Sequence, residues 1–128
     1  MAGSTLESEK VVLELARDDS APGTARQALE TALQGFEYER GYYARLLLSE
    51  LVSNSVKYGG DGPVRVEIEP LAGGVHVEVI DCGPGFSAAP RAPDPDRVGG
   101  WGLVLVDRLA SRWGKEPGRC RVWFEIDR

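Results

Sequence analysis

The stretch Val64-Arg65-Val66-Glu67-Ile68-Glu69-Pro70-Leu71-Ala72-Gly73-Gly74-Val75-His76-Val77-Glu78-Val79-Ile80-Asp81 decides the fold. Val64, Val66 and Ile68 alternate with Arg65, Glu67 and Glu69, and Val75, Val77 and Val79 alternate with His76, Glu78 and Ile80. Successive strand side chains point to opposite faces, so each run reads as a strand with one buried face. Leu71-Ala72-Gly73-Gly74 is a turn, and the two runs form an antiparallel hairpin. The second strand stops on Asp81, which opens the glycine loop Asp81-Cys82-Gly83-Pro84-Gly85.

Upstream of the hairpin, a helix is predicted from about Gly41 to Tyr58, stopped by Gly59-Gly60. Ala44, Leu48, Leu51, Val52 and Ser55 form its core-facing stripe. At about 100° per residue, Glu50, Asn54 and Lys57 share a narrow arc beside that stripe, where a helix lines a pocket at the edge of a core. Further upstream, Ser20-Ala21-Pro22 starts a helix on which Ala25, Ala28, Leu29, Ala32, Leu33 and Phe36 recur at helical spacing. Val11, Leu13 and Leu15 form a first strand. Residues 1–9 are small and polar and read as a disordered terminus.

Downstream, Ser87 to Gly99 is rich in proline and alanine and reads as a loop. Gly99-Gly100-Trp101-Gly102-Leu103 then opens a third helix carrying Leu103, Val106, Leu109 and Ala110, closed near Gly114. A last strand presents Cys120, Val122, Phe124 and Ile126 on one face. The order is strand, helix, helix, hairpin, loop, helix, strand. It predicts an α+β fold: a two-layer sandwich in which helices cover one face of a mixed, mostly antiparallel sheet.

With 128 residues, 42% of them hydrophobic and 27% charged, the chain has the composition of one soluble domain, expected to span 10–128. The net charge of −5 disfavours nucleic acid as a direct partner, because phosphate backbones need a basic surface. Arg119 and Arg121 read as a solvated strand face. No run reaches the roughly 20 apolar residues of a membrane-spanning helix, and no secretory leader is visible. Cys82 and Cys120 form no CxxC pair and read as free thiols. A cytoplasmic location without membrane contact is expected.

Each polar cluster has a chemical reading and a plain one. Beside a metal-held phosphate, the Glu50 carboxylate can take a proton from an attacking hydroxyl or water. The Asn54 amide oxygen is a hard ligand suited to Mg²⁺. Taken alone, the pair is better accounted for by a solvated helix face, because such spacings are common by chance. Asp81 can accept a hydrogen bond from an exocyclic amine such as that of adenine, while Gly83 and Gly85 admit a flat ligand close to the backbone. A plain turn in which Asp81 caps its own backbone is the alternative. Gly100 and Gly102 stand just before the third helix, where amides at its N-terminus attract phosphate, or where a hinge needs glycine. Lys57, Arg91 and Arg97 are placed to meet phosphate oxygens or to remain solvated. His76 reads as a satisfied surface histidine, and Trp101, Trp113 and Trp123 as packing residues. No Walker loop or Rossmann fingerprint is present.

Taken in order, the three clusters resemble the boxes of the GHKL, or histidine kinase-like (Bergerat), ATP-binding superfamily. Glu50-Leu51-Val52-Ser53-Asn54-Ser55-Val56-Lys57-Tyr58 is similar to its N box. Asp81-Cys82-Gly83-Pro84-Gly85-Phe86 is similar to its G1 box, and Gly100-Trp101-Gly102-Leu103 to its G2 box. Within it, the run Gly102 to Leu109 followed by Arg112-Trp113-Gly114 resembles the stand-alone bacterial anti-sigma-factor serine kinases of the RsbW/SpoIIAB type. The resemblance implies ATP and Mg²⁺ bound under a lid at about 87–99. It implies Glu50 as general base and Asn54 as Mg²⁺ ligand. Asp81 would take the adenine amine, with Gly83 and Gly85 shaping that pocket. Lys57, Arg97, Gly100, Gly102 and Leu103 would serve the phosphate end.

The implied activity is γ-phosphate transfer to a serine or threonine of an anti-anti-sigma (STAS-type) partner, coupled to capture of a sigma factor. Homodimerisation is a further implication. The alternative is a non-catalytic, nucleotide-gated protein-binding module of the same fold. A gyrase or MutL type would need a transducer domain, and a sensor histidine kinase a phosphoacceptor helix pair.

Overall fold

The computed structural model describes residues 10–59, 62–81, 98–116 and 121–128, with the backbone alone at 98–103. Strand β1 (Val11–Leu15) leads to helix α1 (Ala21–Leu29), which tightens into a 3₁₀ turn at Glu30–Leu33. Helix α2 (Tyr38–Tyr58), the hairpin β2 (Val64–Leu71) and β3 (Gly74–Asp81), helix α3 (Val98–Leu109), β4 (Arg112–Glu116) and β5 (Arg121–Asp127) follow. The strands lie in the order β1-β2-β3-β5-β4. Every neighbouring pair is antiparallel, with Val64 opposite both Leu15 and Asp81, and Val77 opposite both Ile68 and Phe124.

This register aligns the apolar phase of each strand on one face. Val64, Val66, Ile68, Val75, Val77, Val79, Phe124 and Ile126 are buried there beneath the helices. Ala25 and Leu29 of α1, Ala44, Leu47, Leu48, Leu51 and Val52 of α2, and Val106 of α3 complete the core. The architecture is the α+β sandwich expected, with a sheet antiparallel at every neighbouring pair.

Three boundaries differ from the sequence reading. The run through Phe36 does not stay α-helical, because the chain tightens at Glu30 and turns at Gly35, whose φ of 86° is left-handed backbone that glycine adopts without a Cβ clash. Helix α2 begins at Tyr38, earlier than Gly41, with Glu37 in an extended conformation at its N-cap. Helix α3 ends at Leu109, and Arg112–Glu116 is an edge strand that pairs with β5. Charges at Arg112, Lys115 and Glu116 hide the strand signal and also suit an exposed sheet edge. Gly114 is required by packing: a Cβ there would lie 2.7–3.0 Å from the Trp123 indole.

The helix-free face carries the polar phase as a lattice of ion pairs. Glu67 and Glu78 stand directly opposite each other on β2 and β3, a like-charge pair that is unfavourable by itself. Lys10 and Arg65 reach Glu67 at 3.1 and 2.9 Å, while Arg121 and His76 reach Glu78 at 3.3 and 3.0 Å. His76 also bonds Glu125 at 2.8 Å and stacks on Trp123 at 5.4 Å. It is the satisfied histidine expected. Arg121, read as solvated, is instead half-buried in this lattice.

Candidate functional site

The buried phase of β3 runs Val75, Val77, Val79 and ends on Asp81, so strand alternation delivers a carboxylate to the helix-covered face. Asp81 is 5% exposed, the buried charged residue among the described ones. A charge in such a place needs a partner. Arg17, two residues beyond the end of β1, supplies one: its Nη2 donates to Asp81 Oδ1. The same guanidinium donates through Nη1 to the Ser55 carbonyl and through Nε to the Gly62 carbonyl at 2.6 Å.

Ser55 belongs to the last turn of α2, directly after Asn54. Its carbonyl also accepts the helix-closing N–H of Gly59 at 2.9 Å. Gly59 is the point of closest approach. A Cβ there would overlap Asp81 Oδ2, the Ser55 carbonyl and the Arg17 guanidinium. Glycine at 59 therefore stops the helix and also lets the Asp81 carboxylate lie against the helix end.

Helix α2 presents Glu50, Asn54 and Lys57 on successive turns leading to this junction. Glu50 and Asn54 are half-buried and Lys57 is exposed, which matches a polar arc beside an apolar stripe. Their common element and the Arg17–Gly59 contact bring this arc and Asp81 to one end of the fold. Gly100, Gly102 and Leu103 lie inside α3, which begins at Val98 and packs against α2. The sequence reading places the glycines before the helix. The helix instead runs through them, and Gly100 falls within the first turn, where N–H groups lack intrahelical partners. Val98 and Gly99 thus belong to the helix rather than to a lid ending at 99. Gly83, Gly85, Arg91, Arg97, Cys82, Cys120, the lid at 87–97 and the terminus at 1–9 lie outside the described residues.

Sequence reasoning missed Arg17. A signal for it exists: Arg17 continues the buried phase of Val11, Leu13 and Leu15, as Asp81 continues that of Val75 to Val79. The open groove along α1 and α2, lined by Ser20, Thr24, Arg26 and Arg45 among others, contains none of the sequence-derived site residues. Among the described residues no helix is long and apolar enough to cross a membrane.

The described residues thus form a two-layer α+β sandwich in which a carboxylate at the end of a central strand is linked through Arg17 to the end of a polar-edged helix. The profile of the histidine kinase-like ATPase domain matches residues 15–124, and the chain belongs to that family, which implies ATP binding. Among solved structures it is similar to the RsbU and RsbW domains of Rv1364c from Mycobacterium tuberculosis. The identity is 21% and the TM-score 0.64, over 93% of this chain and 31% of that one. That likeness supports the fold, and this chain spans about a third of that chain's length. No curated protein matches.

Proposed function

We propose that this chain binds Mg-ATP between α2 and the segments that follow β3, and that it is a protein serine/threonine kinase and anti-sigma factor. The observation that carries the reading is the buried Asp81 carboxylate, fixed against the helix that bears Glu50 and Asn54. The carboxylate accepts the adenine amine at one end. Asn54 would supply an amide oxygen to Mg²⁺ at the other. A half-buried amide at the edge of the core fits a hard cation that takes oxygen ligands. Mg²⁺ held there would supply neutralising charge to the phosphates.

Lys57 and the first-turn amides of α3 attract phosphate. Glu50 takes the proton of the acceptor serine or threonine hydroxyl as its oxygen bonds to the γ-phosphorus and the bond to ADP breaks. Gly83 and Gly85 shape the adenine side, while Arg97 and Leu103 serve the phosphate side beneath a lid at 87–97. The acceptor is an anti-anti-sigma (STAS-type) protein, and the protein captured in the nucleotide-bound state is a sigma factor. The likeness to a structure that contains an RsbW domain supports this choice of partner class.

Titration calorimetry with Mg-ATP, followed by labelled-phosphate transfer to such a partner, tests the reading. Binding heat, with transfer lost in Glu50→Ala, is the expected result. Binding and partner capture without any transfer would leave a nucleotide-gated binding module. Undiminished transfer by Glu50→Ala would remove the role of that residue.

A further inference from the structure

We propose that Arg17 is a positioning residue for base recognition, holding the Asp81 carboxylate in the one orientation that accepts an amine hydrogen from the nucleotide base. The inference rests on the nucleotide reading above. Three donor atoms of one guanidinium bind three separate segments: the end of β3 at Asp81, the last turn of α2 at Ser55, and the α2–β2 connection at Gly62. A rigid planar fork spreads its N–H groups over three nitrogens and fixes their directions, whereas the three donors of an ammonium radiate from one freely rotating nitrogen. Asp81 Oδ1 is held by Arg17, and Oδ2 fills the space where a side chain of Gly59 would stand. The carboxylate is therefore restrained from both sides.

Stability alone does not account for the arrangement. Buried ion pairs are commonly no more stabilising than apolar residues of similar size, and the surrounding sheet end is apolar, with buried Val64 opposite Asp81 and buried Leu15 opposite Val64 in turn. What the ion pair adds is direction. An oriented carboxylate accepts from the 6-amino group of adenine and opposes the 6-oxo group of hypoxanthine. Arg17 also binds the carbonyl next to Asn54. The base-reading and phosphate-binding ends are thereby spaced by one side chain.

The full-length chain, titrated with Mg-ATP and with Mg-ITP, tests the proposal. Wild type is expected to favour ATP by about 10- to 100-fold, the weight of one directed hydrogen bond against a repulsive contact. Arg17→Lys keeps a cation and is expected to bring the ATP-to-ITP ratio close to one, with ATP affinity lowered about tenfold. An unchanged ratio in Arg17→Lys, whatever its melting temperature, would make Arg17 a purely structural residue and overturn the proposal, leaving ATP binding intact. Wild type that binds neither nucleotide would overturn the nucleotide reading and this role with it. A second measurement needs no variant. The Arg17 Nε–H resonance of the wild-type chain is expected to shift on saturation with Mg-ATP, and a resonance that stays in place overturns the proposal.

Discussion

The two faces of the sheet each carry carboxylates paired with cations, and they use them differently. On the open face, Glu67, Glu78, Glu125 and Asp127 are spanned by Lys10, Arg65, His76, Arg112 and Arg121 in a lattice confined to the strands and the residue preceding β1. On the covered face, Asp81 and Arg17 join β3 to a helix end and a connection. The open lattice has more charges, and its exposed outer members, such as Arg112, share partners that water also reaches. The covered pair is one bond set that ties three segments together away from water. The open face is therefore the denser in charge, whereas the covered pair breaks the buried phase of a strand and crosses between elements, at the end proposed above to take the nucleotide.

The sharpest way to break the comparison is to remove a member of the covered pair. Arg17→Met takes the guanidinium away from the buried Asp81 carboxylate, and should cost about 3 kcal/mol in urea denaturation, as loss of one partner of a buried pair does. A cost as small as that of an open-face variant would erase the distinction. Next in size is Gly59→Ala, which forces the carboxylate and helix end apart and should cost about 1–3 kcal/mol. Gly73→Ala is its control, since a Cβ there meets nothing within 4 Å; it should stay within about 0.5 kcal/mol of wild type. On the open face, Arg112→Ala removes an exposed cation bound to Glu125 and Asp127. No measurable change in the denaturation midpoint is expected, because exposed pairs are weak and screened.

The smallest effect sharpens the comparison through pH. Burial works against protonation of His76, but bonds to Glu78 and Glu125 outweigh it and raise its pKa above the usual value of 6.5. A raised folded pKa means the stabilisation is complete below the unfolded value and fades as pH rises through the folded one. Wild-type stability should thus decline slightly as pH climbs from about 6.5 through the raised folded value, and His76→Gln should flatten that decline. Glu125 has the opposite dependence. Burial resists its ionisation, yet Arg112 and His76 hold its pKa below the usual carboxylate range. Its contribution is present above about pH 4.3 and is lost on acidification. Denaturation midpoints read across both windows separate the two groups.

Much of this was legible in the sequence, for physical reasons that differ by element. The hairpin was readable because Val64–Glu69 and Val75–Asp81 each alternate buried and less buried residues, the period of a strand with one covered face. The end of α2 was readable because Gly59 stops a helix. The polar arc of Glu50, Asn54 and Lys57 followed from helical geometry alone. Strand β4 was not readable, because Arg112-Trp113-Gly114-Lys115-Glu116 takes its apolar contact from one tryptophan and its pairing from a partner that follows it in sequence. Gly100 and Gly102 were misplaced because glycine is a poor helix former, whereas the helix there is carried by the apolar residues that follow, including buried Val106. Arg17 continues the buried phase of β1, but its partner was not readable, because β1 lies two strands from β3, a fact of topology that local pattern does not contain.

The hairpin strand β3 and the last strand β5 lie side by side, although α3, β4 and the connections around them intervene in sequence. Their pairing from Gly74↔Asp127 to Ile80↔Arg121 is held by the strands themselves. That pairing closes a long stretch of sequence on itself, so it carries a large share of the chain entropy lost on forming the sheet. In kinetic terms the hairpin of β2 and β3, closed by a short turn, is expected to form before β5 docks beside it.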